Sequence, residues 1–186
     1  MSIAKGRPWF ARMTGDADLA GPYPAVEPHA FRAAMGHFAT GVAIVGASDR
    51  DGVPYGSTAN AITSVSLDPP LLLVCMRRES VTLDMLREAG YFSVSMLDAR
   101  QAAIARRFAR TSTPDGWDGI AFHRGAHGAP MLDAALATIE ASIHDIADGG
   151  DHEIVIGRTL RVDHPELHVA PLVFYRGAFA AIGAQL

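Results

Sequence analysis

The sequence predicts a mainly β fold: a largely antiparallel, partly closed barrel with a few short helices on its flanks. Three observations carry this. At least seven segments have strand patterning and only three have short helical patterning, so a doubly wound parallel sheet, which places a helix after nearly every strand, does not fit. The 186 residues match one compact domain, and 49% hydrophobic against 19% charged residues supply a single core. The longest apolar run, Leu71-Leu72-Leu73-Val74-Cys75-Met76, suits a buried strand and falls far short of the ~20 residues that a membrane-spanning helix needs.

Residues 1–27 mix Gly, Pro and balanced charges without a sustained period, and read as an irregular arm before a single folded domain at 28–186. Lys5, Arg7 and Arg12 have no apolar stretch or small-residue cleavage site behind them, unlike a secretory signal, which predicts a cytoplasmic protein with no membrane partner. Pro28 suits a helix's first turn, and Phe31, Ala34, Met35 and Phe38 recur at i, i+3, i+4 and i+7, so a helix is expected to run to about Thr40-Gly41. Val42, Ile44 and Val45, then Asp49-Arg50-Asp51-Gly52 and Val53, predict a hairpin. One return strand is expected over 55–67, rich in small and hydroxyl side chains that let a ligand approach the backbone. Asp68-Pro69-Pro70 breaks the chain before the buried strand at 71–76. Leu83 and Leu86 mark a short helix over 80–88 that ends at Gly90. A strand at 91–97, a helix at 100–109 and a polar loop at 111–119 follow. Strands at 136–146, 153–162 and 172–182 are separated by Gly149-Gly150, Pro165 and Pro171.

Several chemistries are excluded. The net charge of −4 and sixteen dispersed basic residues leave no nucleic-acid footprint. The most basic stretch, 76–110, sets seven arginines against four acidic residues, a patch that could receive a small anion such as phosphate, although a solvated helical face accounts for most of the seven. Cys75 alone builds neither an intrachain disulfide nor a thiolate metal site and reads as a small buried hydrophobe. Of the eight histidines, His123/His127 fall in a glycine-rich loop and Pro165 interrupts His164/His168, so no metal site is expected. Neither Gly-x-Ser-x-Gly nor Gly-x-Gly-x-x-Gly occurs, which removes a nucleophile elbow and a Rossmann crevice.

Three segments remain. In an unbroken strand, Thr58, Asn60, Ser64 and Ser66 share one face, a hydrogen-bonding wall for a planar heteroaromatic ligand; the plain alternative is an edge strand with hydroxyls in water. Arg77-Arg78-Glu79-Ser80-Val81-Thr82 opens a helix with hydroxyls and guanidiniums suited to an anion, although Ser80 as a simple N-cap explains the same residues. Gly149-Gly150-Asp151-His152-Glu153 is a turn that delivers an imidazole to a strand; a lone histidine there is otherwise a loop residue.

In this order, Phe31-Arg32-x-Ala34-Met35, Phe38-Ala39-Thr40-Gly41-Val42, Thr58-Ala59-Asn60, Ser64-Val65-Ser66-Leu67-Asp68-Pro69-Pro70, Ser80-x-Thr82-Leu83 and Gly150-Asp151-His152 closely resemble the short-chain flavin reductase family. Its members are reductase components of two-component flavin monooxygenases, and the likeness covers roughly 28–182. The resemblance implies a Greek-key-like, antiparallel split β-barrel and a homodimer. It further implies that NADH or NADPH passes hydride to FMN or FAD, which leaves for a partner monooxygenase. By motif, Ser57, Thr58, Ala59 and Asn60 with Ser64, Val65 and Ser66 would cradle the isoalloxazine and ribityl chain, Ser80 and Thr82 the phosphate. Thr40 would open the first strand under the flavin. His152 would contact the nicotinamide as the catalytic-site residue, with Tyr175 and Arg176 on the same side. The protein then supplies stacking and orientation rather than an acid or nucleophile. Ile139-Glu140-Ala141-Ser142 departs from the family, many of whose members carry a cysteine in this strand.

Two other readings fit parts of the pattern. A non-catalytic flavin- or haem-binding split barrel, acting as sensor or carrier, would keep the first segments without needing Gly150-Asp151-His152. An oxidase of a phosphorylated vitamin on a related barrel would call for more basic residues around its substrate.

Overall fold

A computed structural model describes residues 25–165 and 169–183. The arm expected at 1–27 therefore lies outside the described residues except for 25–27, and so does His168. The described residues divide between Met35 and Gly36 into two units, and the first holds helix α1 (Pro28–Met35). It starts at Pro28 as the sequence predicts but stops at Met35, so Phe38 lies beyond it.

The second unit is built on seven antiparallel strands: β2 (Ala43–Ser48), β3 (Pro54–Ala59), β4 (Ile62–Leu67), β5 (Pro70–Arg77), β6 (Tyr91–Met96), β9 (Ala137–Gly149) and β10 (His152–Asp163). Their order across the sheet is β3-β2-β6-β9-β10-β5-β4. Two short sheets accompany it: β7 (Phe122–Arg124) with β8 (Pro130–Leu132), and the three strands β1 (Thr40–Gly41), β11 (Leu172–Tyr175) and β12 (Ala178–Ala181). The strands β3 and β4 close opposite ends of the sheet although only Asn60 and Ala61 separate them in the chain. Such a link reaches about 10 Å at full extension, so the sheet must roll until its ends nearly meet. The result is a split β-barrel. At the seam, Cys75 N–H donates to Ala61 C=O at 3.0 Å.

The single strand expected over 55–67 is thus two strands on opposite edges. Tyr55 to Ala59 pair with β2, whereas β4 pairs with β5. The register of β4 also slips between Ser64 and Ser66. The common face expected for Thr58, Asn60, Ser64 and Ser66 is broken at both places, because period-2 alternation survives neither a sharp corner nor a bulge. The strand expected at 172–182 is a hairpin turning at Arg176-Gly177, where φ values of 50° and 79° give the twist that a two-residue antiparallel turn requires. The strands β1, β7, β8, β11 and β12 are too short to show a period.

Packing follows from burial. All six residues of β2 are buried. Ala43, Val45 and Ala47 join Leu72, Val74 and Phe92 inside the barrel, together with Leu83 and Leu86 of helix α2 (Val81–Ala89). Val42 and Ile44 face the other way, onto Phe108 of helix α3 (Ala102–Phe108), Trp117 and Leu172. In β5 only Leu72, Val74 and Met76 are buried; Leu71, Leu73 and Cys75 are partly exposed. Cys75 is therefore not the fully buried hydrophobe the apolar run suggests. Glu140, fully buried, accepts the backbone N–H groups of Ala126 (3.0 Å) and His127 (2.9 Å) and pins their loop. Its neighbour Ala141 packs inside the barrel. Among the described residues, no helix is long and apolar enough to cross a membrane and no group of side chains is arranged to hold a metal.

Gly157 lies where β10 crosses the barrel interior. A Cβ there would stand 2.8 Å from Phe92 Cε1 and 3.0 Å from Ala141 Cβ. Phe92 is fully buried and has nowhere to turn. Gly157→Ala is expected to lower unfolding free energy by about 1–3 kcal/mol, the usual range for overpacking, as read from urea melts. A melt identical to the parent's would contradict this packing.

Candidate functional site

A cavity of about 640 Å³ opens in the second unit where the barrel is split. One wall is the end of β3 with the link that follows it: Ser57, Thr58, Ala59, Asn60 and Ala61. Their small side chains leave the main chain approachable, and β3 pairs only with β2 among the described strands. Each polar side chain of this wall is held from behind. Ser57 Oγ donates to Thr82 Oγ1 at 2.9 Å and lies 3.4 Å from Ser80 Oγ. Thr58 Oγ1 donates to the Ala105 carbonyl of α3 at 2.7 Å, and Asn60 Nδ2 donates to Thr40 Oγ1 at 3.1 Å. Gly56 and Gly116 leave room for Phe108, whose ring would meet a Cβ at either position at 2.8 Å.

The second wall is the end of β5 and the entrance to α2. Ser80 occupies the N-cap position, yet its side chain makes no capping hydrogen bond and lines the cavity instead. Thr82 is fully buried beneath Ser57. It supports that hydroxyl and has no surface to offer a phosphate, which corrects the direct role that the sequence motif implies. Of the paired arginines, Arg77 lines the cavity and belongs to no ion pair among the described residues. Arg78 does not flank an anion. It donates to Gly150 C=O and Asp148 Oδ1, each at 2.6 Å, and to Glu153 Oε1 at 3.2 Å. Arg87 pairs with the other oxygen of Glu153.

This clamp fixes the turn that carries His152. Gly150, at φ 79°, supplies the left-handed turn residue, and β10 then begins at His152, opposite Arg77 of β5. The imidazole reaches the cavity while its Nδ1 lies 2.8 Å from Asp151 Oδ1. That hydrogen bond, reinforced by the imidazole's charge, holds the Asp151 carboxyl below the ordinary carboxylate range. Asp148 is held low by the Gly150 N–H and then by Arg78. Burial pushes the Cys75 thiol up, so it stays protonated at the cavity wall.

The remaining wall comes from Phe108 at the end of α3 and 109–112 after it, with Phe174 and Phe179 of the β11–β12 hairpin, none of which is among the site residues that the sequence motifs imply. Arg110 was visible only as one of seven arginines in the basic stretch. The aromatic pair was hidden because the hairpin reads as one strand.

The other candidates lie off the cavity. Thr40 sits behind Asn60 and pairs with Phe174. Ser64 and Val65 are exposed on edge strand β4, and Ser66 Oγ accepts from Asp68 N. The Tyr175 ring stands edge-on to His37, and Arg176 N donates to Gly36 C=O.

Residues 35–183 match the model of the flavin reductase like domain. The chain belongs to this family. A probable flavin reductase of Rhizobium meliloti is 40% identical over 82% of the chain, which spans 48% of that longer protein. The reductase subunit of a flavin-dependent monooxygenase from Rhodococcus jostii is 35% identical over 93% of the chain and 86% of its own length. A Streptomyces globisporus NADH:FAD oxidoreductase solved with NAD and FAD fragments superposes with a TM-score of 0.78, at 34% identity, over 87% of this chain and 98% of that one. The seam cavity combines small walls, hydroxyls, aromatic faces, the guanidiniums of Arg77 and Arg110 and the carboxylate of Glu79.

Asp148→Asn tests the clamp on the His152 turn. Folding lowers the Asp148 pKa, so its stabilising contribution is complete above the unfolded value of about 3.9 and is lost as pH falls through the folded value. The variant should melt below the parent at pH 7, and the two melting temperatures should converge on acidification below about pH 4. A gap that persists in acid would contradict the assignment.

Proposed function

We propose that the seam cavity is where this flavin reductase, an NAD(P)H:flavin oxidoreductase, holds FMN or FAD for reduction before the reduced flavin passes to a flavin-dependent monooxygenase. The observation that carries the reading is convergence. Ser57 to Asn60, Ser80 and His152, drawn from three distant stretches of chain, line one cavity. The Rhodococcus relative, a monooxygenase reductase subunit, and the Streptomyces relative, an NADH:FAD oxidoreductase, support the same assignment.

A bound flavin supplies the redox chemistry, taking a hydride directly from reduced nicotinamide. The chain's own residues bind and orient. The free edge of β3 and the fixed Ser57 hydroxyl offer hydrogen bonds along a planar ring, and Phe108, Phe174 and Phe179 give it apolar faces. Ser80, Arg77 and Arg110 hold its phosphate. His152 keeps Nδ1 on Asp151 and is left with Nε2 for the nicotinamide. No side chain need act as nucleophile, so rate depends on how rigidly these walls place two rings.

The proposal includes a homodimer. Edge strand β4 exposes Val65 and Leu67, an open template for a second copy, and this gives Ser64, Val65 and Ser66 a place at the flavin from outside the cavity. Tyr175 and Arg176 are assigned to the nicotinamide side of that assembled site. A cytoplasmic setting, where reduced nicotinamide is regenerated, belongs to the same reading.

His152→Ala separates this reductase from a passive flavin carrier. Removal of one hydrogen bond to the nicotinamide, worth about 1.4 kcal/mol, should lower kcat/KM for NADH roughly tenfold. The flavin Kd measured by fluorescence should stay near the parent's. Unchanged kcat/KM, or matching losses in both quantities, would contradict the assigned role.

A further inference from the structure

Glu79 puts a negative charge at the end of the seam cavity assigned to the flavin phosphate. It lines the cavity beside Ser80, and its side chain is exposed. Nothing among the described residues neutralises it, since none of their ion pairs involves Glu79. Its neighbour Arg78 is taken up by Asp148 and Glu153, and Arg87 by Asp84 and Glu153. Arg77 and Arg110, the guanidiniums on the cavity wall, stand in no ion pair either. Attraction and repulsion for an anion are thus built into the same wall.

A phosphate monoester carries about −1.5 to −2 charge at neutral pH, so a carboxylate beside it works against the arginines. The simpler role for Glu79 lies in the helix: an acidic residue just before α2 favours the positive end of the helix dipole. The two roles differ in sign. Loss of a helix-stabilising charge lowers stability and leaves flavin binding unchanged or weaker, whereas loss of a repulsive charge makes a phosphorylated flavin bind more tightly.

We propose that Glu79 sets how loosely the flavin phosphate is held, and so how readily the flavin leaves. The inference rests on the reading of the seam cavity as the flavin site with its phosphate at Ser80. A flavin bound for a second enzyme must be oriented and then released, and a repulsive charge at the phosphate shortens its stay without touching the ring. A unit charge about 8 Å from a phosphate dianion in water-like surroundings changes affinity roughly fivefold. The same charge narrows the advantage of FMN over riboflavin, which lacks only the phosphate, so Glu79 acts as a specificity-determining residue.

FMN and riboflavin Kd values are measured by fluorescence for the parent, Glu79→Gln and Glu79→Asp, with FMN dissociation followed by stopped flow. The expected result for Glu79→Gln is FMN bound about fivefold tighter and released correspondingly more slowly, with riboflavin binding close to the parent's. Glu79→Asp keeps the charge and should keep the parent's ratio of FMN to riboflavin affinity. Unchanged or weaker FMN binding in Glu79→Gln, with or without a lower melting temperature, leaves Glu79 as a helix residue and overturns the proposal. Equal tightening of both flavins overturns it too, because a loosened wall produces that and a charge does not. Ser57→Val reports on the cavity itself and should weaken both flavins alike. If both bind to it as to the parent, the flavin-site reading fails and the proposal with it; weakened binding there beside parent-like Glu79→Gln sinks the role of Glu79 only.

Discussion

Everything in the second unit depends on the two-residue link at Asn60-Ala61. The strands it joins lie at opposite ends of a seven-stranded sheet, so pairing and chain connectivity are satisfied together only if the sheet rolls up. Rolling leaves a seam. It also leaves β3 with a free edge, which is why the small residues 57–61 matter: bulky side chains would fill the space where the main chain is still able to bond a ligand. The wall behind them is rigid because β2 is buried on both faces, between the barrel interior and the layer formed by α3, Trp117 and Leu172.

The polar groups at the seam fall into those that face the cavity and those that hold them. Ser57, Asn60, Ser80 and His152 line it or border it; Thr82, Thr40, Asp151 and the Arg78 clamp fix their positions from behind. Reduction of a flavin by nicotinamide asks for two rings stacked at a fixed distance, not for a titrating acid. A scaffold in which each hydroxyl or imidazole has one hydrogen-bond partner behind it suits that demand. The positive charge is divided in the same way. Arg78 is neutralised by Asp148 and Glu153, whereas Arg77 and Arg110 stay available at the cavity.

Much of this was legible in the sequence, for reasons that differ along the chain. The β2–β3 hairpin announced itself through Asp49-Arg50-Asp51-Gly52, where Asp49 Oδ1 does accept the N–H groups of Asp51 and Val53. The short helix α2 was bounded by Ser80 and Gly90, and Gly90 is left-handed at φ 74°. What failed was alternation across a corner: residues 55–67 keep a strand-like composition throughout, and composition does not register that Asn60-Ala61 changes edges or that β4 slips at Val65. Arg78 and Thr82 were misplaced because sequence gives proximity to a site but not direction. The aromatic and arginine wall came from four-residue strands and a helix end, too short to carry a period, so only the assembled structure brings Phe108, Arg110, Phe174 and Phe179 to the cavity.

The proposed place of a reducible flavin at the barrel seam is tested most directly by a crystal structure of the protein with flavin and a nicotinamide coenzyme. The isoalloxazine should lie along residues 57–61 with its phosphate at Ser80 and the nicotinamide beside His152. A flavin bound elsewhere, with the seam cavity filled only by solvent, would contradict it.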